Sequence, residues 1–374
     1  MKIGFDAKRI FNNATGLGNY SRSLVSNLQH FFPEQEYHLF SPEARHSDYA
    51  ATFLHSGHFH IHQSKTRLKS YWRSFSIVKD LALTGIELYH GLSNELPHNL
   101  HREGIKSVVT IHDLIFKLYP GTYTLSERLI YDRKFRYACQ HADRIVAISE
   151  NTKQDIIRLY GTDPAKIEVV YQTCNPLFYR LRPADENEEV LRLLNLPSRF
   201  FLYVGSVEER KNLKLIVAAM HQLPQRERLP LVIVGRGGAY KKACKQLIAS
   251  LGLEQYFIWL EVQDNLQLQS LYQSAAALIY PSFYEGFGLP VAEALLSKTP
   301  VITAATSSLK EAGGPDSFYI DPADAATLAE AMLRIIQQDP SLPERCAKGY
   351  AYAQQTFSPG TLTAQLMQLY QTLT

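Results

Sequence analysis

Residues 282–295 read SFYEGFGLPVAEAL, and this stretch decides the fold prediction. The apolar residues 277–281 in front of it predict a short buried strand, and the two glycines predict a tight turn. Pro290 suits the first turn of a helix, because the N–H that proline lacks has no partner there. The pattern is therefore strand, glycine turn and helix, with polar groups at the carboxyl end of a strand. Open α/β sheets bind their ligands at that edge.

Two glutamates with seven residues between them give this turn its chemistry. Glu285 lies within the glycine turn, and Glu293 lies one turn into the predicted helix. Backbone N–H groups and a helix N-terminus attract a phosphate, and a nearby carboxylate accepts hydrogen bonds from sugar hydroxyls. The stretch therefore predicts a site for a phosphorylated sugar ligand.

Strand and helix patterns alternate along both halves of the chain. The first series covers residues 1–180, a polar segment at 181–197 has the composition of a surface linker, and the second series covers 198–355. Two such series predict an α/β protein with two doubly wound, Rossmann-like parallel sheets facing a cleft. Residues 356–374 add an amphipathic helix that the second sheet does not need.

Composition indicates a soluble globular protein of two domains. The 374 residues are 45% hydrophobic and 20% charged, and no apolar run approaches the ~20 residues of a membrane span. The chain starts with a strand pattern in place of a signal peptide. Four widely spaced cysteines have no metal-ligand spacing and indicate reduced thiols, so we expect a cytoplasmic protein with no metal site among them.

Positive charge is concentrated in the first half. Residues 1–180 hold 22 Lys and Arg against 17 Asp and Glu, and the remainder holds 17 against 19. A cluster in this half could touch an anionic membrane or an acidic acceptor, or could form a solvated helix face; it consists of Lys65, Arg67, Lys69, Trp72 and Arg73. The sequence has no arginine-rich tract or RNA-binding aromatic motif, so a nucleic-acid partner is not expected.

A second strand-to-loop segment carries cations. After the strand pattern at 200–204 come Gly205 and Ser206, and then Arg210 and Lys211 before the next helix. Both cations are predicted at the carboxyl edge of the second sheet. A fixed cation there would lower the barrier to departure of a phosphate, because the phosphate gains negative charge as it leaves.

The first half offers a glycine loop and a histidine. Gly16 and Gly18 follow the first strand, but no third glycine completes a dinucleotide fingerprint. His112 ends an apolar strand and is predicted to point into the crevice. The alternating histidines at 58, 60 and 62 could suggest metal ligands, but we attribute them to one face of a strand.

Segments 205–212 and 282–295 together resemble the donor-site motifs of retaining glycosyltransferase family 4, whose members have the GT-B fold. The likeness extends to residues 108–113 and, more loosely, to 16–20. It implies that Glu285 faces the transferred sugar, that Glu293 takes the ribose hydroxyls, and that Arg210 and Lys211 neutralise the donor diphosphate. Many relatives carry arginine where this chain has Ser206, which puts a third cation in doubt.

The remaining roles that the resemblance implies are carried by the backbone and by the first domain. Backbone groups of the turn would hold sugar hydroxyls and the diphosphate; they belong to Gly286, Phe287, Gly288 and Leu289. The loop with Gly16 and Gly18 would approach the diphosphate, and His112 would meet the sugar near the reacting centre. The last helix, 356–374, is expected to return to the first domain, as it commonly does in GT-B enzymes.

The resemblance implies a metal-independent, retaining hexosyltransferase that needs no cofactor. Its donor would be a nucleotide diphosphate sugar, with a lean to GDP-mannose, and its acceptor a hydroxyl of a glycan or lipid-linked glycan. Alternatives are a nucleotide-sugar epimerase or a phosphorylase of the same fold, and a non-catalytic sugar-nucleotide binding protein. An NAD-dependent dehydrogenase is opposed by the missing third glycine.

Overall fold

The computed structural model describes residues 1–262 and 264–374, and the chain divides into two compact units. Unit 1 comprises Met1–Thr173 and Ser358–Thr374, and unit 2 comprises Cys174–Phe357. The sequence analysis predicted that the first domain ends at residue 180 and that the second ends at residue 355. Each unit is an α/β structure with its own parallel sheet.

The described residues of unit 1 form a seven-stranded parallel sheet with the order β3-β2-β1-β4-β5-β6-β7. Its strands are β1 (Lys2–Asp6), β2 (Glu36–Ser41), β3 (Phe59–Gln63), β4 (Leu88–Gly91), β5 (Lys106–Ile111), β6 (Arg144–Ala147) and β7 (Ile167–Val169). The helices between them are α1 (Lys8–Asn12), α2 (Gly16–Phe31), α3 (Ala51–His55), α4 (Lys69–Tyr71), α5 (Ile77–Thr84), α6 (Ile115–Leu118), α7 (Leu125–His141) and α8 (Glu150–Tyr160). A single π-helical turn, Trp72–Ser76, joins α4 to α5.

Side chains alternate across this sheet and fill a core on each face. On β5, for example, Val108 packs into one cluster with Leu28 of α2, and Val109 packs into the other with Leu81 of α5. Both faces of the central strands are apolar because helices cover both sides of a parallel sheet.

In unit 2 the described residues form a six-stranded parallel sheet with the order β10-β9-β8-β11-β12-β13. Its strands are β8 (Phe201–Val204), β9 (Leu231–Val234), β10 (Phe257–Leu260), β11 (Ala277–Tyr280), β12 (Val301–Ala304) and β13 (Phe318–Ile320). Its helices are α9 (Ala184–Leu193), α10 (Leu213–Gln222), α11 (Ala239–Ser250), α12 (Asn265–Ser274), α13 (Leu289–Leu296), α14 (Leu309–Gly313), α15 (Ala325–Ile336) and α16 (Leu342–Thr356).

The linker predicted at 181–197 is wrong, because most of it is helix α9 and belongs to unit 2. Pro183 precedes the helix, and acidic residues in its first turn complement the helix dipole. Leu191 is buried on its inner face, and Asn187 donates a hydrogen bond to Gln273 of α12. The polar composition that suggested a linker is the solvent face of an amphipathic helix.

The chain ends in α17 (Pro359–Gln371), which packs within unit 1. Leu366, Met367 and Tyr370 join the core cluster on the α2 face of the sheet. Among the helices of the described residues, none is both long and apolar enough to cross a membrane. All four cysteines are free thiols.

Candidate functional site

The strand order of unit 2 places the two motif loops side by side. β8 and β11 are neighbours, and the chain builds outward from β8 on one side and from β11 on the other. The loops 205–212 and 281–288 therefore leave the same edge of the sheet at the point where the strand order reverses. Doubly wound sheets bind ligands at this switch point.

Three charged side chains from these loops meet at one carboxylate oxygen. Nη1 of Arg210 lies 2.8 Å from Oε1 of Glu285, and Nζ of Lys211 lies 3.3 Å from the same oxygen. The side chains of all three residues are at most 11% exposed. Arg210 also contacts Glu208 at 2.5 Å and donates to the carbonyl of Tyr284. The two predicted cations and the predicted sugar-facing carboxylate are thus brought together.

Tyr280, the last residue of β11, connects this charged cluster. Its hydroxyl accepts a hydrogen bond from Lys211 at 2.5 Å and donates one to Oε1 of Glu285 at 3.0 Å. Burial alone would raise the pKa of Glu285, but the adjacent Lys211 and Arg210 cations outweigh it and hold that pKa below its usual value. Glu285 is therefore an ionised carboxylate fixed by three donors.

The turn that carries Glu285 is held by serines from the loop after β12. The backbone N–H of Glu285 donates to Ser307, and the single proton of the Ser308 hydroxyl is shared between the carbonyls of Glu285 and Phe287 at 2.8 and 2.9 Å. Gly288 has φ of +112°, and a Cβ there would lie 2.9 Å from a methyl carbon of Leu309. This turn therefore requires glycine at position 288, and α13 begins directly after it at Leu289.

Gly205 and Ser206 open the other loop. Gly205 has φ of +138°, a conformation that side chains rarely adopt, and it lies beside the Lys211 ammonium. Ser206 is exposed, and its carbonyl accepts a hydrogen bond from Tyr203. The backbone at 205–206 therefore runs beside the cations, but Ser206 adds no charge to them.

Glu293 lies in α13 and is separate from the charged cluster. Its carboxyl accepts a hydrogen bond from the Tyr272 hydroxyl at 2.9 Å. Burial raises the pKa of Glu293 to about 7, and the bond from Tyr272 offsets only part of that rise. The pKa values of the two glutamates are thus shifted in opposite directions, because two cations adjoin Glu285, whereas burial dominates at Glu293 and its hydrogen bond comes from the neutral Tyr272 hydroxyl.

A stability prediction follows from this pKa. Unfolded Glu293 would titrate near 4.5 and folded Glu293 near 7, so the folded state holds a proton that the unfolded state releases between these values. The folded state therefore loses stability as the pH rises through this window. We expect the free energy of unfolding of Glu293→Gln to exceed that of the wild type by up to about 3 kcal/mol at about pH 8 and to differ little from it at about pH 4.

Urea unfolding at the two pH values measures this difference. Glu330→Gln, which neutralises an exposed carboxylate on α15, is the control and should leave the free energy of unfolding nearly unchanged. An equal gain for Glu293→Gln at both pH values would contradict the raised pKa.

In unit 1, His112 follows β5 and is 4% exposed. Its Nε2 bonds to the Leu92 carbonyl at 2.9 Å, which makes Nε2 the protonated nitrogen, and its Nδ1 lies 3.5 Å from Nε2 of Gln172. The ring of Tyr20 packs edge-on against it with centroids 4.6 Å apart. Burial lowers the pKa of His112 to about 4 despite the bond to Leu92. His112 is therefore a neutral hydrogen-bonding group at neutral pH.

The glycine loop of unit 1 forms the start of α2. Gly16 is exposed in the first helical position, and Gly18, two residues later, is buried. The N–H of Gly18 donates to the side chain of Asn13 at 3.2 Å, and the N–H of Thr15 donates to the same oxygen. The Gly18 amide is thus bonded within the loop.

The predicted basic cluster at 65–73 does not form one exposed patch. Trp72 is buried and donates to Asp80, and Arg73 is held between Asp6 and Glu95. Lys69 contacts Glu43 at 2.6 Å. The local sequence did not predict this arrangement, because Arg73 pairs with a carboxylate that lies 67 residues earlier in the chain.

An exposed surface of mixed apolar and basic residues is nevertheless present in unit 1. On α7, Leu125 and Leu129 are each 73% exposed, and Leu83 of α5 is 88% exposed. Further members of this mixed surface are Lys65, Arg67, Leu68, Tyr71, Phe75, Lys79, Ile130 and Arg133. Phe75 and Ile130 line the same cavity, so the two parts of the surface adjoin.

A basic cavity lies at the carboxyl ends of β1 and β2 in unit 1. Its cationic lining consists of Lys8, Arg45, Lys69, Arg73 and Lys134, with Glu43 as the acidic member. Sequence reasoning missed this cavity because its cations come from four separate segments, of which only the one with Lys69 and Arg73 was recognised as basic.

Sequence reasoning also missed Tyr280, Tyr272 and the Ser307–Ser308 pair. A tyrosine that ends a buried strand gives no sign of its polar contacts. The serines could have been found, because they follow β12 at the edge of the sheet where ligands bind.

Comparison with protein families gives two matches that lie one in each half of the chain. Residues 14–176 match the family model described as Glycosyltransferase Family 4, and residues 186–354 match the one described as Glycosyl transferases group 1. Among curated proteins, "O-antigen chain mannosyltransferase B" of Escherichia coli is 29% identical over 397 aligned residues and both chains are covered completely.

Two solved structures share the architecture at low identity. HepE of Anabaena in complex with UDP superposes with a TM-score of 0.77 and 16% identity, covering 100% of both chains. Sucrose-phosphate synthase from Thermosynechococcus elongatus gives a TM-score of 0.79 and 23% identity, covering 100% of this chain and 99% of that one. These likenesses establish the fold.

Proposed function

The chain belongs to the glycosyltransferases of group 1 and family 4, with the GT-B fold, and from this premise we propose that it is a retaining hexosyltransferase. It would move a hexose from a nucleoside diphosphate sugar to a hydroxyl of a glycan acceptor. The observation that carries the proposal is the buried group of Arg210, Lys211 and Glu285 at the switch point of the unit 2 sheet.

This group is suited to a donor that carries both a diphosphate and a sugar. Arg210 and Lys211 share one oxygen of Glu285, so an arriving diphosphate competes with that oxygen for both cations. The two cations then neutralise less of the Glu285 charge, and the carboxylate is available to interact with the sugar. Two cations in a site with little water stabilise the charge that grows on the departing diphosphate.

Retention at the anomeric carbon is supported by the state of Glu285. The lowered pKa makes this carboxylate a weak base, and two cations and Tyr280 hold it in place. We therefore assign it to stabilising positive charge on the sugar and not to forming a covalent bond. In this scheme the departing phosphate oxygen takes the proton of the acceptor hydroxyl on the face that it leaves.

For the donor we propose GDP-mannose, with no metal ion required. The mannose follows the full-length likeness to the Escherichia coli mannosyltransferase. The charge that a metal would supply comes from Arg210, Lys211 and the N-terminus of α13. Glu293 and its partner Tyr272 are assigned to the ribose hydroxyls.

Thermal unfolding with GDP-, UDP-, ADP- and dTDP-sugars, each with and without EDTA, tests the donor. A ligand raises stability by RT ln(1 + [L]/Kd), so at one hundred times Kd the gain is about 2.7 kcal/mol. We expect the largest rise in melting temperature with GDP-mannose, and we expect EDTA not to reduce the size of that rise. A rise in melting temperature with UDP-sugars alone would overturn the assignment of GDP-mannose as donor. If no sugar nucleotide raised the melting temperature, the proposed function would be overturned.

For the acceptor we propose a growing surface glycan, lipid-linked and reached by unit 1. The cavity at β1 and β2 is lined by five Lys and Arg side chains, of which Lys69, Arg73 and Lys134 already have carboxylate partners, and we propose that an anionic group such as a lipid phosphate competes for them. The exposed surface with Leu83, Leu125 and Leu129 combines apolar side chains with Lys and Arg, as interfacial proteins do. We therefore assign the membrane contact to this cavity and this exposed surface together, and no longer to the cluster at 65–73 as a single patch.

The membrane part predicts salt-sensitive binding to anionic vesicles. Each exposed Lys or Arg near an anionic surface contributes about 1 kcal/mol, and this attraction is screened by salt. Leu125→Ser with Leu129→Ser should weaken co-sedimentation at low salt. Leu193→Ser is the matched control, because Leu193 is 74% exposed on α9 of unit 2. No wild-type binding at low salt would remove the membrane contact and favour a soluble acceptor.

A further inference from the structure

Three histidines and a glutamate share one face of the sheet edge in unit 1. Glu36 and His38 lie two residues apart on β2, and His60 and His62 lie two apart on β3. Because side chains alternate along a strand, each pair points to one side. His38 stands directly opposite His60 in the parallel register, so all four side chains lie on the same face.

The ligand atoms of three of these residues are close enough for one ion. One atom each from Glu36, His38 and His60 lie within 4.8 Å of one another. Donors around a tetrahedral Zn²⁺, at about 2.0–2.1 Å from the metal, are about 3.4 Å apart. Glu36 and His60 are exposed, and rotation of their side chains, with the His60 ring turning from its stacked contact with His38, would bring the donors to that separation.

His38 provides an independent sign of a ligand. It is 5% exposed, and its Nε2 is buried without a hydrogen-bond partner among the described residues. This nitrogen lies 3.6 Å from Oε2 of Glu36. A buried polar atom without a partner is costly, and a bound cation would satisfy it.

His62 fixes the orientation of His38. Nδ1 of His38 lies 3.0 Å from Nε2 of His62. In the tautomer in which His38 donates the proton of this bond, its Nε2 carries a lone pair on the side of Glu36. Metal-binding histidines commonly use their second nitrogen in this way.

We propose that Glu36, His38 and His60 bind a divalent transition-metal ion, with Zn²⁺ as the best match to two imidazoles, one carboxylate and a water. His62 is a positioning residue. The ion would join β2 to the edge strand β3 and take the Glu36 carboxylate from Lys2, a contact of 3.7 Å between two exposed groups that contributes little. The site lies near the amino end of β2, whereas His112 lies at the carboxyl edge of the same sheet, so the ion has a structural role.

Zinc content after chelator treatment, with a chain that carries no polyhistidine tag, tests the proposal. Dialysis of the full chain against Zn²⁺ should give one ion per chain by mass spectrometry, and His60→Ala and His38→Gln should lose it. His58→Ala is the control, because His58 is an exposed histidine just outside β3. His62→Ala should keep the stoichiometry and weaken the affinity about 10- to 100-fold, measured by competition with a chromophoric chelator.

Co²⁺ provides a second readout that does not depend on activity. Its visible absorption should show a tetrahedral nitrogen and oxygen site in the wild type and in His58→Ala, and none in His60→Ala. The proposal is overturned if the wild type binds no stoichiometric zinc, or if His58→Ala loses as much zinc as His60→Ala. His60 is exposed, so His60→Ala should fold normally, and its circular dichroism verifies this.

Discussion

Glu285→Gln is expected to lower kcat for sugar transfer by a factor on the order of 10² to 10³. The amide keeps the shape of the side chain and its bond with Tyr280, but it removes the negative charge that would stabilise a sugar cation in the transition state. Affinity for the free nucleoside diphosphate should be retained, because Arg210 and Lys211 no longer have Glu285 as a competing anion.

Glu209→Gln is the control for this variant, since Glu209 is an exposed carboxylate in the neighbouring loop. Glu293→Gln should give the opposite result, with weaker binding of the nucleoside diphosphate and a smaller decrease in kcat for sugar transfer. Near-normal turnover in Glu285→Gln would contradict its role. Equal loss of nucleotide affinity in both variants, measured by calorimetry, would contradict the division between them.

Lys211→Ala should cost about 2–4 kcal/mol of transition-state stabilisation, or roughly 30- to 1000-fold in kcat/KM. Lys211 is buried, and its ammonium contacts Glu285 and Tyr280, so no solvent cation replaces it readily. Lys214→Ala removes an exposed lysine three residues later on α10 and should transfer at the wild-type rate. Wild-type rates in both variants would show that Lys211 does not serve the diphosphate.

Local patterns predicted the part of the site that is local in sequence. The structure gives β11 at Ala277–Tyr280, then the glycine turn and α13 from Leu289, as the sequence predicted. Apolar strands, glycines with positive φ and a proline in a first helical turn each act over a few residues. The two parallel-sheet units followed from the same reasoning applied along the chain.

Contacts over long sequence separations were beyond these patterns. The sequence predicted Arg210 and Lys211 as diphosphate ligands, but not that both would pair with a carboxylate some 75 residues later. It assigned Arg73 to an open basic patch, whereas Asp6 and Glu95 neutralise it. Strand order and burial determine which ionic groups pair, and the composition of a single segment predicts neither the strand order nor the burial.

The same limit explains α9 and the histidines of β3. The polar face of α9 suggested a linker because the helix packs against α12, more than 70 residues away. The alternation of His60 and His62 was recognised, but their partner His38 lies on another strand, and only the register of β2 against β3 brings it opposite.

The central claim is that Arg210 and Lys211 receive the donor diphosphate, and paired calorimetric titrations test it most directly. The nucleoside diphosphate and monophosphate of the preferred base are each titrated into the wild type, Lys211→Ala and Lys214→Ala. We predict that the wild type and Lys214→Ala prefer the diphosphate at least tenfold and that this preference collapses in Lys211→Ala. A preference that persists unchanged in Lys211→Ala would place the diphosphate elsewhere and contradict the account.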